Sequence, residues 1–255
     1  MGLQAILFDV DGTLADTERD GHRVAFNRAF ADAGLGWVWD ESLYGELLAV
    51  TGGKERIRHY VEQWGPPLPE RTGSDLTTFI AGLHAAKTRH FVELLAGGAI
   101  PLRPGVRRLL DEARQCGIRL AIATTTTPEN VEQLLRCTLG AEAIDWFEVI
   151  AAGDVVPAKK PDPAIYTWAL ERMGLDPHGC VAIEDSRNGL RAALGADLPT
   201  LITVSPYTEN EAMDGAALVV DQLGEPGQPF RVLAGESFGR RLVDVDLLRH
   251  VAAGG

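Results

Sequence analysis

Cysteine is scarce in this chain, and the three present, Cys116, Cys137 and Cys180, form an odd set with no short spacing. That excludes a disulfide framework or a thiolate metal site as an expectation, and it fits reduced thiols in a cytosol. No apolar run approaches the ~18 residues of a membrane span. The opening Met1-Gly2-Leu3-Gln4 has no basic stretch leading to a cleavage site, so no secretory leader is expected. Ile6 stands where N-myristoylation requires Ser or Thr. Basic residues are outnumbered, 24 Lys and Arg against 36 Asp and Glu, and the net charge of −12 argues against nucleic acid or anionic membrane as partners. There is no internal repeat. What remains, 45% hydrophobic and 24% charged over 255 residues, reads as one large or two modest globular domains, expected to be cytoplasmic and monomeric. The charge also sets a constraint, since an anionic substrate would need local cations and a metal to draw it in.

Short, uniformly apolar runs at 3–8, 120–123, 149–151, 181–183, 201–204 and 218–220 have the character of strands covered on both faces. Helical patterning fills the spaces between the later ones, at 106–116, 129–138, 163–173 and 187–194. This alternation predicts an α/β fold with a Rossmann-like parallel sheet, whose active residues gather at the carboxyl ends of the strands. Residues 18–97 differ. They show helical periodicity at 22–33, 55–63 and 74–95, interrupted by Pro66-Pro67-Leu68-Pro69, with no buried strand. An insertion of that length is too long for a loop and predicts an inserted all-α domain, leaving 1–17 and 98–255 as the core. A short amphipathic stretch at 243–251 predicts a terminal helix without assigned chemistry.

Four features near strand ends carry chemistry. Asp9 and Asp11 follow the first strand at i, i+2, so both carboxylates face one place and repel unless a cation or a shared proton relieves them. An ordinary acidic turn is the alternative. Thr124 opens Thr124-Thr125-Thr126-Thr127-Pro128, whose hydroxyls and helix-start amides suit a phosphate, or merely cap a helix. Lys160 sits in the stiff Lys159-Lys160-Pro161-Asp162-Pro163, and a fixed lysine there could neutralise a phosphate and a carboxylate. Glu184-Asp185-Ser186 ends the 181–183 run, and its carboxylates fit the hard oxygen ligation of Mg²⁺ or a helix N-cap.

In this order the four features resemble the motifs of the haloacid dehalogenase superfamily, with the helical insertion resembling its first class of cap. The resemblance spans residues 3 to about 220 and implies a Mg²⁺-dependent phosphatase. It casts Asp9 as the nucleophile that forms an aspartyl phosphate and Asp11 as the acid and then base. It casts Thr124, the Thr125 amide and Lys160 as holders of the phosphoryl oxygens. Mg²⁺ is implied on Asp9, the backbone carbonyl of Asp11 and Asp185, with Glu184 close by. The presence of Asp11 separates the chain from the dehalogenases and phosphonoacetaldehyde hydrolases, which lack the second aspartate.

Within the superfamily the stretch Asp16-Thr17-Glu18-Arg19-Asp20-Gly21-His22 resembles the CbbY-type phosphatases, which dephosphorylate xylulose-1,5-bisphosphate, an inhibitory by-product of rubisco. It sets Asp-Thr and His one residue further apart than in β-phosphoglucomutase, the alternative relative. Thr51-Gly52-Gly53-Lys54-Glu55-Arg56 and His84-x-x-Lys87-Thr88 resemble the same family. The implied substrate is a small sugar bisphosphate. Gly53, Lys54, Arg56, His84 and Lys87 are expected to serve its second phosphate, and Arg89 lies on the same predicted helix. Glu18 is expected at the sugar hydroxyls, while His22 stays open between a contact and a structural role. Lys159 and the chain after Gly224 have no expected role.

Overall fold

The computed structural model describes residues 2–69, 75–98 and 100–254. Its strands are β1 (Ala5–Phe8), β2 (Arg119–Thr124), β3 (Val149–Ala152), β4 (Cys180–Glu184), β5 (Thr200–Thr203), β6 (Leu218–Val220) and β7 (Val232–Gly235). The helices are α1 (Arg23–Asp32), α2 (Glu41–Leu47), α3 (Gly53–Trp64), α4 (Leu76–Ala96), α5 (Val106–Gln115), α6 (Pro128–Thr138), α7 (Ala164–Met173), α8 (Arg187–Gly195) and α9 (Val245–Ala253). One sheet runs in the order β3-β2-β1-β4-β5-β6-β7, parallel except for β7. The expected α/β class and parallel core are therefore present. Among the described residues no helix is long and apolar enough to cross a membrane.

The apolar runs are strands because both of their faces are covered. Ile6, Phe8, Leu120, Ile122, Val181 and Ile183 point to the layer of α5, α6 and α9. Ala5, Leu7, Ala121, Ala123, Cys180 and Ala182 point the other way, against α7 and α8. The period of two sorts each strand between the layers. Burying a large apolar side chain contributes about 1.5–3 kcal/mol, enough to offset the ~1–2 kcal/mol cost of fixing its backbone. The strand order reverses at β1, with β2 on one side and β4 on the other. A crevice opens there, beyond the strands' carboxyl ends.

The regular elements described in residues 18–96 are all helical, and α1–α4 assemble a second apolar cluster. It is rich in aromatics, with Phe30 edge-on to Trp39 at 4.9 Å and Trp39 edge-on to Tyr60 at 5.4 Å. α3 stops at Gly65, whose left-handed φ of 56° a Cβ would disfavour. α4 starts where the Asp75 carboxylate accepts from the Thr78 amide at 2.9 Å. The expected start at Ser74 lies outside the described residues. The far end of α4 carries Phe91 and Leu95 into the core cluster beneath the sheet. Two elements had not been expected. α2 is only seven residues long, and β7 exposes all four of its residues.

Candidate active site

Asp9 follows β1, Glu184 ends β4, and Asp185 is next to it, so parallel pairing of β1 with β4 brings the three carboxylates together. One oxygen from each lies within 4.8 Å of the others, and all three residues are buried. At an effective dielectric of ~20, two charges at that separation repel by about 3.5 kcal/mol. Three such pairs approach the whole stability of a domain. Lys160 is the local answer: its Nζ donates to Asp9 Oδ1 at 2.6 Å, to Glu184 Oε1 at 2.5 Å and to the Ala123 carbonyl at 2.8 Å. The Tyr166 hydroxyl adds a donor to Glu184 Oε1 at 2.5 Å. Three carboxylates against one ammonium still leave two negative charges. Burial, with Glu184 and Asp11 nearby, pushes Asp9 up to about 8 against the pull of Lys160. Burial, Asp9 and Glu184 raise Asp185 well above the carboxylate range, partly offset by Ser205 and Arg103. A buried, all-oxygen cluster short of two positive charges fits a hard divalent cation.

Asp11 faces away from this cluster. Its Oδ1 accepts from Thr17 Oγ1 at 2.6 Å and lies 2.8 Å from His22 Nε2. The other ring nitrogen of His22, Nδ1, is 2.8 Å from Lys87 Nζ. An ammonium can only donate, so Nδ1 accepts and the proton sits on Nε2, aimed at Asp11. Burial works to raise Asp11, but His22, Thr17 and Lys87 together hold it below the usual carboxylate range. Burial pushes Lys87 down to about 8 while Asp11 and Glu18 pull it upward. The extra residue between Thr17 and His22 is housed in a π-helical turn, Glu18–His22, closed by the Arg23 amide on the Glu18 carbonyl. A wide turn absorbs one inserted residue without displacing the helix after it. Gly21 makes room for it, because a Cβ there would stand 2.7 Å from Ile100 Cδ1 and from Phe91 Cε2.

A cavity of about 100 Å³ has Asp9, Asp11, Thr124, Thr125, Lys160 and Asp185 in its walls. A neighbouring one of about 40 Å³ is lined by Gly53, His84 and Lys87, and shares Asp11, Glu18, Arg56 and Thr125 with the first. Thr124 Oγ1 accepts the Thr126 amide at 3.3 Å, and Asn130 steadies Thr126 at 2.9 Å. Glu18 is bonded by the Tyr44 hydroxyl and stands 3.9 Å from Arg56. The Arg56 guanidinium is braced by Tyr44 at 2.9 Å and by the Leu47 and Val50 carbonyls.

Two of the expected cations, Lys54 and Lys87, are engaged by protein groups here, and Arg89 lies apart. Lys54 pairs with Asp154 of the core loop after β3 at 2.5 Å, and with Gly53, His84 and Thr125 it lines a further cavity of about 480 Å³. Lys87 spends its ammonium on His22 rather than standing free for an anion. Arg89 is exposed on α4 and lines none of these cavities. His84 lies over α3, where a Cβ on Gly53 would meet its Nε2 at 2.5 Å, and burial with Lys87 pushes it down to about 3. It is therefore neutral at physiological pH. Lys159, without an expected role, joins Lys54 on Asp154 at 2.7 Å. Sequence reasoning missed Tyr44 and Tyr166, since a tyrosine at a helical core position reads as packing. His22 had a signal, its spacing from Thr17.

The sequence model of the haloacid dehalogenase-like hydrolases matches residues 3–197. The chain belongs to this family. It is a phosphoric monoester hydrolase on the haloacid dehalogenase fold. It is 48% identical over 227 residues to the plasmid protein CbbY of Cupriavidus necator, covering 89% of this chain and 88% of that one. A crystal structure of a CbbY mutant from Rhodobacter sphaeroides in complex with xylulose-(1,5)bisphosphate superposes with a TM-score of 0.81 at 49% identity, covering 88% and 96%. A crystal structure described as a putative β-phosphoglucomutase from Thermotoga maritima is further away, with a TM-score of 0.62 at 30% identity, covering 86% and 94%.

Proposed function

We propose that this phosphatase hydrolyses a sugar bisphosphate, xylulose-1,5-bisphosphate first among them, to xylulose 5-phosphate and phosphate, which would remove a rubisco inhibitor. The observation that carries this reading is the pair of adjoining cavities. One is built around Asp9 and Lys160, and the other runs to Lys87 and the amide-rich start of α3, with Arg56 on the wall they share. A substrate with one phosphate at each end matches cationic groups at both ends. The bisphosphate bound by the CbbY variant is of this kind.

In this reading a carboxylate oxygen of Asp9 attacks phosphorus as the ester P–O bond breaks, and the phosphoryl group passes to Asp9. Asp11 is ionised in the free enzyme, so it must take up a proton as the anionic phosphate arrives beside it before it can give that proton to the departing sugar oxygen. It then takes a proton from the water that releases phosphate from Asp9. Thr124, the Thr125 amide and Lys160 hold the phosphoryl oxygens, and Lys160 keeps Asp9 pointed at them. Asp9, Asp185 and the Asp11 backbone carbonyl would hold Mg²⁺, with Glu184 alongside. When bound, that ion supplies the two positive charges that the carboxylates and phosphoryl oxygens lack. Glu18 and Gly53 contact the sugar, and Arg56 the second phosphate, with His84 and Lys87 behind them. Residues 18–97 form the cap and 1–17 with 98–255 the core, with closure of the cap excluding water. Free thiols at Cys116 and Cys137, both exposed, suit a reducing cytosol.

Phosphate release from a panel of phosphorylated sugars, with and without Mg²⁺, tests the reading. The expected result is a Mg²⁺-dependent preference for the pentulose bisphosphate, and loss of at least about 10⁴-fold in kcat for Asp9→Asn. Efficient isomerisation of glucose 1-phosphate with little phosphate released would instead favour a mutase.

A further inference from the structure

Between β1 and the strands beyond β4 lies a buried cation that touches none of the reacting groups. Arg103 comes from the segment that returns from the helical insertion, and its side chain is 6% exposed. One terminal nitrogen donates to the Gly12 carbonyl and, at 2.8 Å, to the Thr203 carbonyl. The other donates to Val204 at 2.6 Å and to Asp221 at 2.9 Å. Nε stands 3.3 Å from Asp16. One guanidinium thus ties three segments distant in sequence: the turn after β1, the end of β5 and the end of β6. Five donors in a rigid plane serve four carbonyls and a carboxylate; an ammonium has three donors and no plane.

The clamped segments touch the carboxylates that would hold the metal. Gly12, at φ 84°, lies so close to Asp185 that a Cβ would collide with its carboxylate. Its amide is fixed on the Ala15 carbonyl at 2.9 Å, and Arg103 fixes its own carbonyl, so the turn cannot rotate away from Asp185. Ser205, which follows Val204, lines the same cavity as Asp185. The Arg103 backbone adds to the same frame, its amide donating to the Leu14 carbonyl at 2.9 Å.

We infer that Arg103 is a positioning residue for the divalent-cation site, holding the Gly12 turn and the loop after β5 against Asp185 so that Asp185 and Asp9 converge on one ion. This rests on the reading that these carboxylates bind Mg²⁺. Arg103 touches neither substrate nor ion. Its effect appears in metal affinity before it appears in substrate affinity.

The test is Mg²⁺ binding alone, by calorimetry and by the rise in Tm on adding Mg²⁺, for the wild type, Arg103→Lys and Arg103→Met. Circular dichroism checks folding. The expected result is a Mg²⁺ Kd raised about fivefold in R103K and tenfold or more in R103M, with substrate KM within twofold of wild type once Mg²⁺ saturates. R103K keeps the charge and decides the matter if R103M does not fold. Wild-type Mg²⁺ affinity in folded R103K overturns the role of Arg103 and leaves the metal reading intact. A wild type that binds no Mg²⁺ overturns both.

Discussion

Lys87 shows at the scale of one residue how function is set against stability. Its ammonium is buried between Phe26 and Phe91, 5.2 and 5.1 Å from the ring centres, and its hydrogen bond goes to a histidine rather than a carboxylate. Burial pushes it down to about 8, from the ordinary lysine value of 10.5. Between those values the unfolded chain binds the proton that the folded chain gives up, so this group's contribution to stability rises with pH across that window. At pH 7 both states are protonated and the folded state bears the whole cost of the buried charge. Lys87→Met removes that cost. Its stability relative to wild type, from urea denaturation, is expected to fall by about 2–3 kcal/mol between pH 7 and pH 10 as the wild type is relieved. A difference constant across that range would mean Lys87 is not buried as a cation. Because Lys87 fixes the tautomer of His22 and through it Asp11, kcat of K87M is expected to drop by about 10²–10³-fold. The same residue marks the limit of what sequence discloses. A lysine three positions after His84 is legible as sharing its face, but its bond to His22 spans 65 positions and needs the fold.

At the scale of elements, strands were legible where their context leaves no choice. β1, β2 and β4 are buried along nearly their whole length, so uninterrupted apolarity marks them, and the carboxylates just past their ends are marked with them. β7 was not legible because its four residues are exposed and bury no face. α2 was missed because seven residues with a central Gly45 make too short a period to read. The π-helical turn at Glu18–His22 was legible only as an extra residue; its shape follows from what crowds Gly21. Gly21→Ala is expected to push the turn off Phe91 and Ile100 and to lower stability by about 1–3 kcal/mol. Phe91 also packs against the His22 ring at a tilt of 31°, with centroids 3.9 Å apart, so the displacement reaches Asp11. kcat is expected to fall by more than KM changes. A folded G21A with wild-type kcat would show that the turn does not position His22.

For the whole molecule the question is what holds the helical segment over the carboxylates of a chain with net charge −12. Beside the buried His22–Asp11 contact near the start of the segment, the polar bridges across the crevice among the described residues are partly wet. Lys54 meets Asp154 at 2.5 Å, with side chains 38% and 64% exposed. Asn188 donates to Thr51 at 3.1 Å and to the Ala49 carbonyl at 3.2 Å. An exposed ion pair contributes about 0.2–1 kcal/mol and is screened by salt. In the proposed reading a closure held by bridges of that strength would still admit substrate and release product. Asp154 also takes Lys159, the neighbour of Lys160, so the Lys54 bridge reaches the loop that grips Asp9. Lys54→Met is therefore expected to raise KM by about 1.5- to 5-fold at 50 mM NaCl, with kcat within about twofold. At 500 mM NaCl the Debye length shrinks to about 4 Å, and the wild-type KM should rise until the two enzymes are nearly equal. Steady-state phosphate release at both salt concentrations measures the ratio. If Asp154→Asn leaves KM at the wild-type value while K54M raises it, Lys54 acts on substrate directly and the bridge to Asp154 is incidental.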